Sequence, residues 1–283
     1  MKVGLIGLGY WGNNYLKILK NLGYEVETYD PKFNSSSDHL KNCSHIIIAS
    51  PAESHYIWVE KFIKHSHILL EKPPVLSLRQ LDDIVKWSSK YQKNVFVGLT
   101  YLYNDYVKWI KQKVFTEKMF GNVRYIFSQR LNLGPVRTIS PTLDLSIHDV
   151  SMILYWLLGK PINNVRKIEE KDFSYISFKI DDICCCVFSS WFYGEKIRQV
   201  SMIADQGMIV FDDVQKKIVL KRFPKNVNLY LLENQFLPPI EISEVRLQCE
   251  EPLVNQVKEF FKYCEKFSLD SLEFSYQVLK LLL

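Results

Sequence analysis

A lysine stands at the point where a buried strand is predicted to end. The apolar run at residues 67–70 is typical of a strand buried in a parallel sheet, and Glu71, Lys72 and Pro73 follow it directly. In a doubly wound fold, ligands bind beyond the carboxyl ends of such strands, so a lysine there can reach a bound substrate. Lys–Pro turns are common, so Lys72 alone proves little. It becomes informative because the chain opens with a glycine pattern that fits the same kind of fold.

The chain opens with a glycine pattern that follows a predicted strand. Lys2–Ile6 is an apolar run, and residues 11–22 have apolar side chains at helical spacing. Gly7 permits a tight turn, Gly9 lets backbone amides approach a pyrophosphate, and Gly12 allows close packing of helix on strand. The helix N-terminus adds unpaired N–H groups and a positive dipole end. The predicted dinucleotide site therefore comprises Gly7, Leu8, Gly9, Tyr10, Trp11 and Gly12.

An acidic residue follows the second predicted strand. Glu25–Tyr29 ends at Asp30, about 20 residues after the glycines, where a carboxylate accepts a hydrogen bond from the ribose 2′-hydroxyl of NAD. A 2′-phosphate would be repelled there, so the sequence predicts NAD rather than NADP. The alternative is a glycine-rich turn with an incidental aspartate, but strand, glycines, helix and acid all occur in the required order.

A carboxylate and an imidazole lie four residues apart in a second helical region. The spacing predicts a helix over residues 142–158, on which Asp144 and His148 share a face. A carboxylate beside an imidazole raises its basicity and orients its ring, as a proton-accepting base requires. The simpler alternative is that Asp144 caps the helix N-terminus on a polar face.

Composition is that of an ordinary globular enzyme. The 283 residues suffice for two domains, with 47% hydrophobic and 24% charged residues. The net charge of +5 is scattered among acids, which predicts a solvated surface and no nucleic-acid partner. No secretory signal precedes the first strand and no apolar stretch approaches about 20 residues, so we expect a cytoplasmic protein that does not span a membrane. Six cysteines lack C-x-x-C pairs, which predicts buried thiols and no metal site.

Strands and helices alternate in the first half, and strand-like runs dominate the second. The first half predicts a βαβ series with a parallel sheet, and the second predicts an open, mostly antiparallel sheet interrupted by the helix over 142–158. A terminal helical region begins near Pro252. The predicted class is α/β, with an N-terminal Rossmann doubly wound sheet over 1–120 and a C-terminal α+β domain over 121–283.

These motifs together resemble the Gfo/Idh/MocA family of NAD(P)-dependent oxidoreductases, named after glucose–fructose oxidoreductase and inositol dehydrogenase. The resemblance covers nearly the whole chain and includes the glycine pattern, Glu71-Lys72-Pro73, residues 98–104, and Asp144 with His148. Within the family, these motifs are most similar to those of bacterial 3-dehydrogenases of UDP-N-acetylglucosamine or its uronic acid. The further cofactor-binding residues that the resemblance implies are Ser50, Pro51, His55, Glu71 and Lys72.

The resemblance implies that a sugar hydroxyl is oxidised, and we expect it to be the C3 hydroxyl of a nucleotide-linked amino sugar used for surface polysaccharides. His148 is the expected base and Asp144 orients it, while Lys72 binds the reacting oxygen. In the alternative, Lys72 is the base, because desolvation near a cationic nicotinamide favours neutral lysine. The expected substrate contacts, besides these three residues, are Tyr101, Asn104, Arg130, Asn132 and Arg137.

Other functions and the assembly state follow from the same family. Its folds also serve as keto-sugar reductases, as NAD-using lyases or hydrolases, and as sensing regulators, although a pure sensor would not need both Lys72 and His148. Residues 184–188 alternate between two faces of a predicted strand, and both faces are apolar. Since relatives commonly associate through this sheet, we expect a homodimer or homotetramer.

Overall fold

The computed structural model describes residues 1–224 and 240–283, which form two compact units. The first unit comprises residues 1–103 and 250–283, and the second comprises residues 104–249. The predicted division into 1–120 and 121–283 differs from these units. The first unit ends before the helix that follows its last strand, and it also includes the C-terminal residues.

The first unit is built on a five-stranded parallel sheet. Its elements up to residue 103 are β1 (Lys2–Ile6), α1 (Tyr10–Asn21), β2 (Glu25–Tyr29), β3 (His45–Ile48), α2 (His55–Phe62), β4 (His67–Glu71), α3 (Leu78–Tyr91) and β5 (Val95–Gly98). The strand order in the sheet is β2-β1-β3-β4-β5. The central strands are continuous apolar runs because helices cover both faces of a doubly wound sheet.

The second unit is built on an eight-stranded sheet. Its elements are α4 (Asp105–Ile110), β6 (Val123–Leu133), α5 (Ile147–Trp156), β7 (Ile162–Glu169), β8 (Phe173–Ile180), β9 (Ile183–Ser190), β10 (Phe192–Ala204), β11 (Gly207–Asp212), β12 (Lys217–Arg222) and β13 (Glu241–Val245). The strand order is β13-β12-β11-β10-β6-β9-β8-β7, and every neighbouring pair is antiparallel except β6 with β9. One π-helical turn, Lys111–Thr116, follows α4, and another, Thr142–Ser146, precedes α5.

Two C-terminal helices, α6 (Pro252–Tyr263) and α7 (Asp270–Leu282), complete the first unit. Val257 and Phe260 of α6 are fully buried in the same core as Leu5 of the parallel sheet. The side-chain amide of Asn94 also donates hydrogen bonds of 2.8 Å to two backbone carbonyl oxygens. One belongs to Tyr263, the last residue of α6, and the other to Lys266, just beyond it. Burial of this amphipathic helix against the parallel sheet explains why the C-terminal residues do not belong to the second unit.

The two faces of the second sheet differ in exposure. On one face, Cys185 and Val187 are buried, and the π-helical turn before α5 packs on β8 and β9. On the other face, Tyr125 and Phe127 are 48% and 38% exposed, and Cys184 is exposed as well. The prediction of buried thiols is therefore wrong for Cys184, because successive side chains of a strand point to opposite faces.

The predicted fold class is confirmed by the parallel sheet and the mostly antiparallel sheet.

The prediction of buried thiols is wrong for Cys249 as well as for Cys184, because Cys249 is exposed in the segment between β13 and α6. In residues 1–224 and 240–283, no helix combines the length and the apolar character needed to cross a membrane.

Candidate functional site

The glycine turn between β1 and α1 is shaped so that only glycine fits at two positions. Gly7 has a φ of +89°, and a Cβ there would lie 2.8 Å from the backbone nitrogen of Ser50. A Cβ at Gly12 would collide with the carbonyl oxygen of Gly7. At Gly9, by contrast, no atom of the described chain beyond its neighbours comes within 4 Å of the Cβ position. The turn therefore packs closely on the sheet side and is open at the helix N-terminus, where Tyr10 is exposed.

Asp30 is joined to this turn by its side chain. Oδ2 of Asp30 accepts a hydrogen bond of 2.8 Å from the backbone N–H of Leu8, and Oδ1 accepts one of 3.0 Å from the N–H of Lys32. The Leu8 hydrogen bond holds the pKa of Asp30 below its usual value, so the group is ionised at neutral pH. An ionised carboxylate has about four acceptor sites, which leaves capacity for ribose hydroxyls.

His55 connects the loops that follow β3 and β4. Its Nε2 lies 2.9 Å from the carbonyl oxygen of Ser50, and its Nδ1 lies 2.9 Å from that of Pro73. Burial lowers the pKa of His55, and the bonds to these carbonyl oxygens oppose that shift. Both ring nitrogens thus contact backbone, and the ring fixes the loop after Lys72. Pro51, next to Ser50, is exposed.

Glu71 ends β4 inside the protein, directly before the half-buried Lys72. Its Oε1 accepts a hydrogen bond of 2.5 Å from the hydroxyl of Tyr15, which in turn accepts one of 2.6 Å from Nε2 of Gln256. Burial raises the pKa of Glu71, whereas the Tyr15 hydrogen bond lowers it. The peptide bond between Lys72 and Pro73 is cis.

Asp144 and His148 lie on either side of a change in helix type. Asp144 is in the π-helical turn, and His148 is in the first turn of α5. The prediction of one continuous α-helix is therefore wrong in its first turn, where the wider π geometry replaces the α geometry. Such turns are frequent at functional sites. Nε of the exposed Arg137 lies 4.0 Å from Oδ2 of Asp144, so a cation neighbours this carboxylate.

Arg130 is an interior residue of the second unit. Its Nε lies 2.6 Å from Oδ2 of Asp149, and the two side chains are only 4% and 1% exposed. The hydroxyl of Ser128 donates a second hydrogen bond of 2.6 Å to Asp149. These contacts attach α5 to β6 beside His148. A substrate contact of Arg130 stays a prediction, and it would have to coexist with this ion pair.

Three other predicted substrate contacts, Asn104, Asn132 and Tyr101, are described here by their hydrogen bonds or their burial within the protein. Asn104 caps α4, since its Oδ1 accepts a hydrogen bond of 2.9 Å from the N–H of Tyr106. Nδ2 of Asn132 donates a hydrogen bond of 2.8 Å to the carbonyl oxygen of Gly134. Tyr101 is half-buried in the turn that follows β5. Their roles towards a substrate stay predictions.

The first unit brings the predicted cofactor residues to the carboxyl edge of its sheet. The residues that follow or end strands β1 to β4 are the glycine turn, Asp30, Ser50, His55, Glu71 and Lys72. Sequence patterns did not reveal the polar roles of Tyr15, Asp149 and Gln256. Tyr15 occupies an apolar position of α1, and a buried hydroxyl partner leaves no signal in the helical spacing.

A family model matches part of this unit. Residues 22–99 match the model described as "Oxidoreductase family, NAD-binding Rossmann fold", which represents Gfo/Idh/MocA. The chain carries a Gfo/Idh/MocA domain. This match confirms the predicted family domain, which belongs to an oxidoreductase family with an NAD-binding Rossmann fold. The preference for NAD over NADP stays a prediction.

The individual proteins that match this chain have low sequence identity to it. Glucose-6-phosphate 3-dehydrogenase of Bacillus subtilis (strain 168) is 26% identical over 146 residues, covering 46% of this chain and 41% of the relative. The chain thus spans less than half the length of the curated relative that it matches. Among solved structures, UDP-N-acetylglucosamine 3-dehydrogenase GnnA from Acidithiobacillus ferrooxidans superposes with a TM-score of 0.83 at 16% identity, covering 100% of this chain and 96% of that one.

Another solved structure with this fold is that of a ketoreductase. A mutant 3-ketoreductase from Actinomadura kijaniata, in complex with TDP-benzene and NADP, superposes with a TM-score of 0.76 at 12% identity. The match covers 100% of this chain and 95% of that chain. At these identities, the solved structures establish that the chain shares their fold, and they establish nothing about its substrate.

Proposed function

We propose that this protein is an NAD-dependent oxidoreductase that oxidises a sugar hydroxyl. The observation that carries the proposal is the glycine turn, in which a Cβ at Gly12 would collide with the Gly7 carbonyl while the space at Gly9 is open. A pyrophosphate fits such a turn, because backbone N–H groups at the N-terminus of α1 can approach it. Asp30 would then hold the ribose hydroxyls, and the strand ends at Ser50 and Lys72 would hold the rest of the cofactor.

Three side chains are assigned to the chemistry. When bound, NAD⁺ accepts a hydride from the carbon that carries the hydroxyl, which leaves a carbonyl group and NADH. We assign His148 to accept the hydroxyl proton and Asp144 to orient the imidazole. Lys72 would donate a hydrogen bond to the reacting oxygen and stabilise its developing negative charge. Either direction of the reaction uses the same three groups, so oxidation of a hydroxyl and reduction of a keto-sugar share this assignment.

We further infer a UDP-linked amino sugar or its uronate as substrate, oxidised at C3, in the cytoplasmic synthesis of surface-polysaccharide sugars. The support is the resemblance of the sequence motifs and the name of the superposing GnnA structure. Arg137 also suits an anionic substrate, since a guanidinium binds diphosphate or carboxylate oxygens through two hydrogen bonds.

A panel of UDP-sugars tests this function directly. Purified protein is mixed with NAD⁺ and each sugar, and NADH formation is followed by absorbance, with the unlinked sugars and their 6-phosphates as controls. We expect turnover with a UDP-amino sugar and little with the free sugar. Turnover with a sugar 6-phosphate alone would contradict the nucleotide-linked substrate, and activity only with keto-sugars and NADH would assign the reductase direction.

We also propose that the protein is a homodimer or homotetramer that associates through the open face of the second sheet. The support is the row of exposed or half-exposed apolar side chains there, including Tyr125, Phe127 and Phe188. A monomer would leave this patch in water. Light scattering at micromolar concentration should give a mass of at least twice 33.4 kDa, and the mass of a single chain would contradict the proposal.

A further inference from the structure

A buried chain of hydrogen bonds leads from α6 to the residue before Lys72. Nε2 of Gln256 donates to the hydroxyl of Tyr15 at 2.6 Å, and that hydroxyl donates to Oε1 of Glu71 at 2.5 Å. The backbone N–H of Lys72 donates to Oε2 of Glu71 at 3.0 Å. Tyr15 and Gln256 are fully buried and Glu71 is 6% exposed. Three elements, α1, β4 and α6, thus meet at one carboxylate.

An apolar side chain at the position of Glu71 would pack without the cost of burying a charge. Burial raises the pKa of this carboxyl group, and the hydrogen bond from Tyr15, the Lys72 charge and the Lys72 N–H oppose the rise. The donors around Glu71 therefore favour its ionised form. Burying the ionised Glu71 is costly, and Tyr15 and the Lys72 N–H both donate hydrogen bonds to it. Because ligands bind at such strand ends, this arrangement points to a role of Glu71 in ligand binding.

Gly98 has no side chain, and its small size leaves room for this hydrogen-bond network. It pairs with Glu71 across β4 and β5, and a Cβ at Gly98 would lie 3.3 Å from both Oε1 of Glu71 and Nε2 of Gln256. Any larger residue would press on the two polar groups. The room for the network is therefore set by the strand next to it.

The groups that face Glu71 come from four elements. The phenol of Tyr15 on α1 and the ammonium of Lys72 beyond β4 are titratable, and both act on the pKa of Glu71. On α6 the facing group is the uncharged amide of Gln256, and on β5 it is Gly98, which has no side chain. The charge at this position is therefore set by Glu71 itself and by the two titratable neighbours.

We propose that Tyr15 and Gln256 are positioning residues that hold Glu71 as a fixed anion beside the nicotinamide end of the cofactor site, where its charge favours NAD⁺ over NADH. The nicotinamide ring is cationic in NAD⁺ and neutral in NADH, so a nearby carboxylate stabilises only the oxidised ring. The inference rests on the proposed function, because that function places Lys72, just beyond β4, at the reacting oxygen, and the nicotinamide must lie against the carbon that carries this oxygen.

Calorimetric titration of NAD⁺ and NADH at neutral pH and at a series of lower pH values tests the proposal on the wild type and on Tyr15→Phe. Protonation of Glu71 removes the anion, so NAD⁺ affinity falls as the pH is lowered while NADH affinity changes little. In Tyr15→Phe, one donor that opposes protonation is gone, so the decline moves to higher pH. At a pH where Glu71 is protonated in Tyr15→Phe but still ionised in the wild type, the ratio of NAD⁺ to NADH affinity should be lower in the variant by on the order of tenfold.

Tyr56→Phe is the matched control, since it also removes a phenol–carboxylate hydrogen bond, of 3.1 Å to Asp83, but between α2 and α3. It should keep the wild-type ratio at every pH. Glu71→Gln is a second variant should Tyr15→Phe fail to fold, and it should give a low, pH-independent ratio. Wild-type ratios in folded Tyr15→Phe or Glu71→Gln would overturn the inference. If the wild type binds neither form of the cofactor, the proposed function fails and the inference falls with it.

Discussion

The backbone N–H of Leu8 donates a hydrogen bond of 2.8 Å to Oδ2 of Asp30, which ties the glycine turn to the end of β2. The turn that would receive the pyrophosphate and the carboxylate that would receive the ribose are therefore fixed to each other before any cofactor binds. Such preorganisation reduces the entropy cost of binding. It also means that changing Asp30 affects both the charge and the shape of the cofactor site.

Asp30→Ala should narrow the preference for NAD over NADP, because the 2′-phosphate is no longer repelled by a carboxylate. Titrating both cofactors by fluorescence measures the two dissociation constants. NAD affinity should also weaken, as the Leu8 hydrogen bond is lost. Asp82→Ala on α3 removes an exposed carboxylate and is the charge-matched control. Equal or tighter binding of NADP by the wild type would refute this role of Asp30.

Lys72→Met should lower kcat by roughly a hundredfold or more while leaving the dissociation constant for NAD nearly unchanged. Methionine keeps most of the side-chain volume and removes the charge that stabilises the reacting oxygen. Steady-state rates and cofactor titration together separate the two effects. Lys86→Met changes an exposed lysine of α3 and should behave as wild type. A folded Lys72→Met protein with wild-type turnover would contradict the assignment.

His148→Asn should lower kcat and remove the rise in turnover between about pH 5.5 and 7.5 that an imidazole base produces. Asparagine has a similar size but does not titrate. The measurement is a pH–rate profile for the variant, the wild type and His65→Asn, which changes an exposed histidine. If the profile of His148→Asn keeps its wild-type shape, the base is another group, and Lys72 is the first candidate.

Much of the fold is predictable because the parallel sheet has a strong sequence signal. β3 and β4 are continuous apolar runs since both faces of the sheet are covered, and the glycine turn fixes the start of α1. Strands β7 and β13 lack such a signal, because most of their side chains are exposed. Most side chains of β7 are exposed, so this edge strand has no apolar alternation to detect. The packing of α6 on the first unit depends on a partner that is distant in sequence.

The candidate site is predictable where a motif lies within one turn and not where distant residues meet. Gly7, Asp30 and Lys72 can be recognised as site residues because each follows closely on the end of a predicted strand. Tyr15 and Gln256 are 241 positions apart, and only the fold brings them to Glu71. The buried ion pair of Arg130 has no sequence signal either, because its partner lies on another element, α5.

Arg130→Met should destabilise the protein by about 3–5 kcal/mol, because it leaves the buried carboxylate of Asp149 without its cation. Urea unfolding followed by fluorescence gives the free energy of unfolding. Arg124→Met removes a largely exposed arginine that pairs with Asp205 at 2.8 Å, and it should cost at most about 1 kcal/mol. If Arg130→Met keeps wild-type stability and raises only KM, the arginine acts mainly on substrate.

Acidification should destabilise the first unit through two stacked histidines at the start of β3 and β4. The ring centroids of His45 and His67 lie 5.3 Å apart, and Nδ1 of His67 accepts a hydrogen bond of 3.1 Å from the N–H of Asn94. Burial, the neighbouring His67 and Lys93 lower the pKa of His45 to about 4, and burial and Lys93 also lower the pKa of His67. Both rings are therefore held neutral in the folded protein at neutral pH.

Between about pH 6.5, the pKa of an unfolded histidine, and pH 4, the unfolded chain binds more protons at position 45 than the folded chain, so stability falls as the pH falls. The ring of His45 is only partly buried and solvent screens its charge, so we expect a loss at pH 4 of about 1–2 kcal/mol, below the roughly 3 kcal/mol of a fully buried ring. In His45→Gln, unfolding free energies measured over this range should decline less steeply than in the wild type. His65→Gln, which changes an exposed ring, should keep the wild-type slope. Equal slopes for all three proteins would show that His45 titrates in the fold as it does in the unfolded chain.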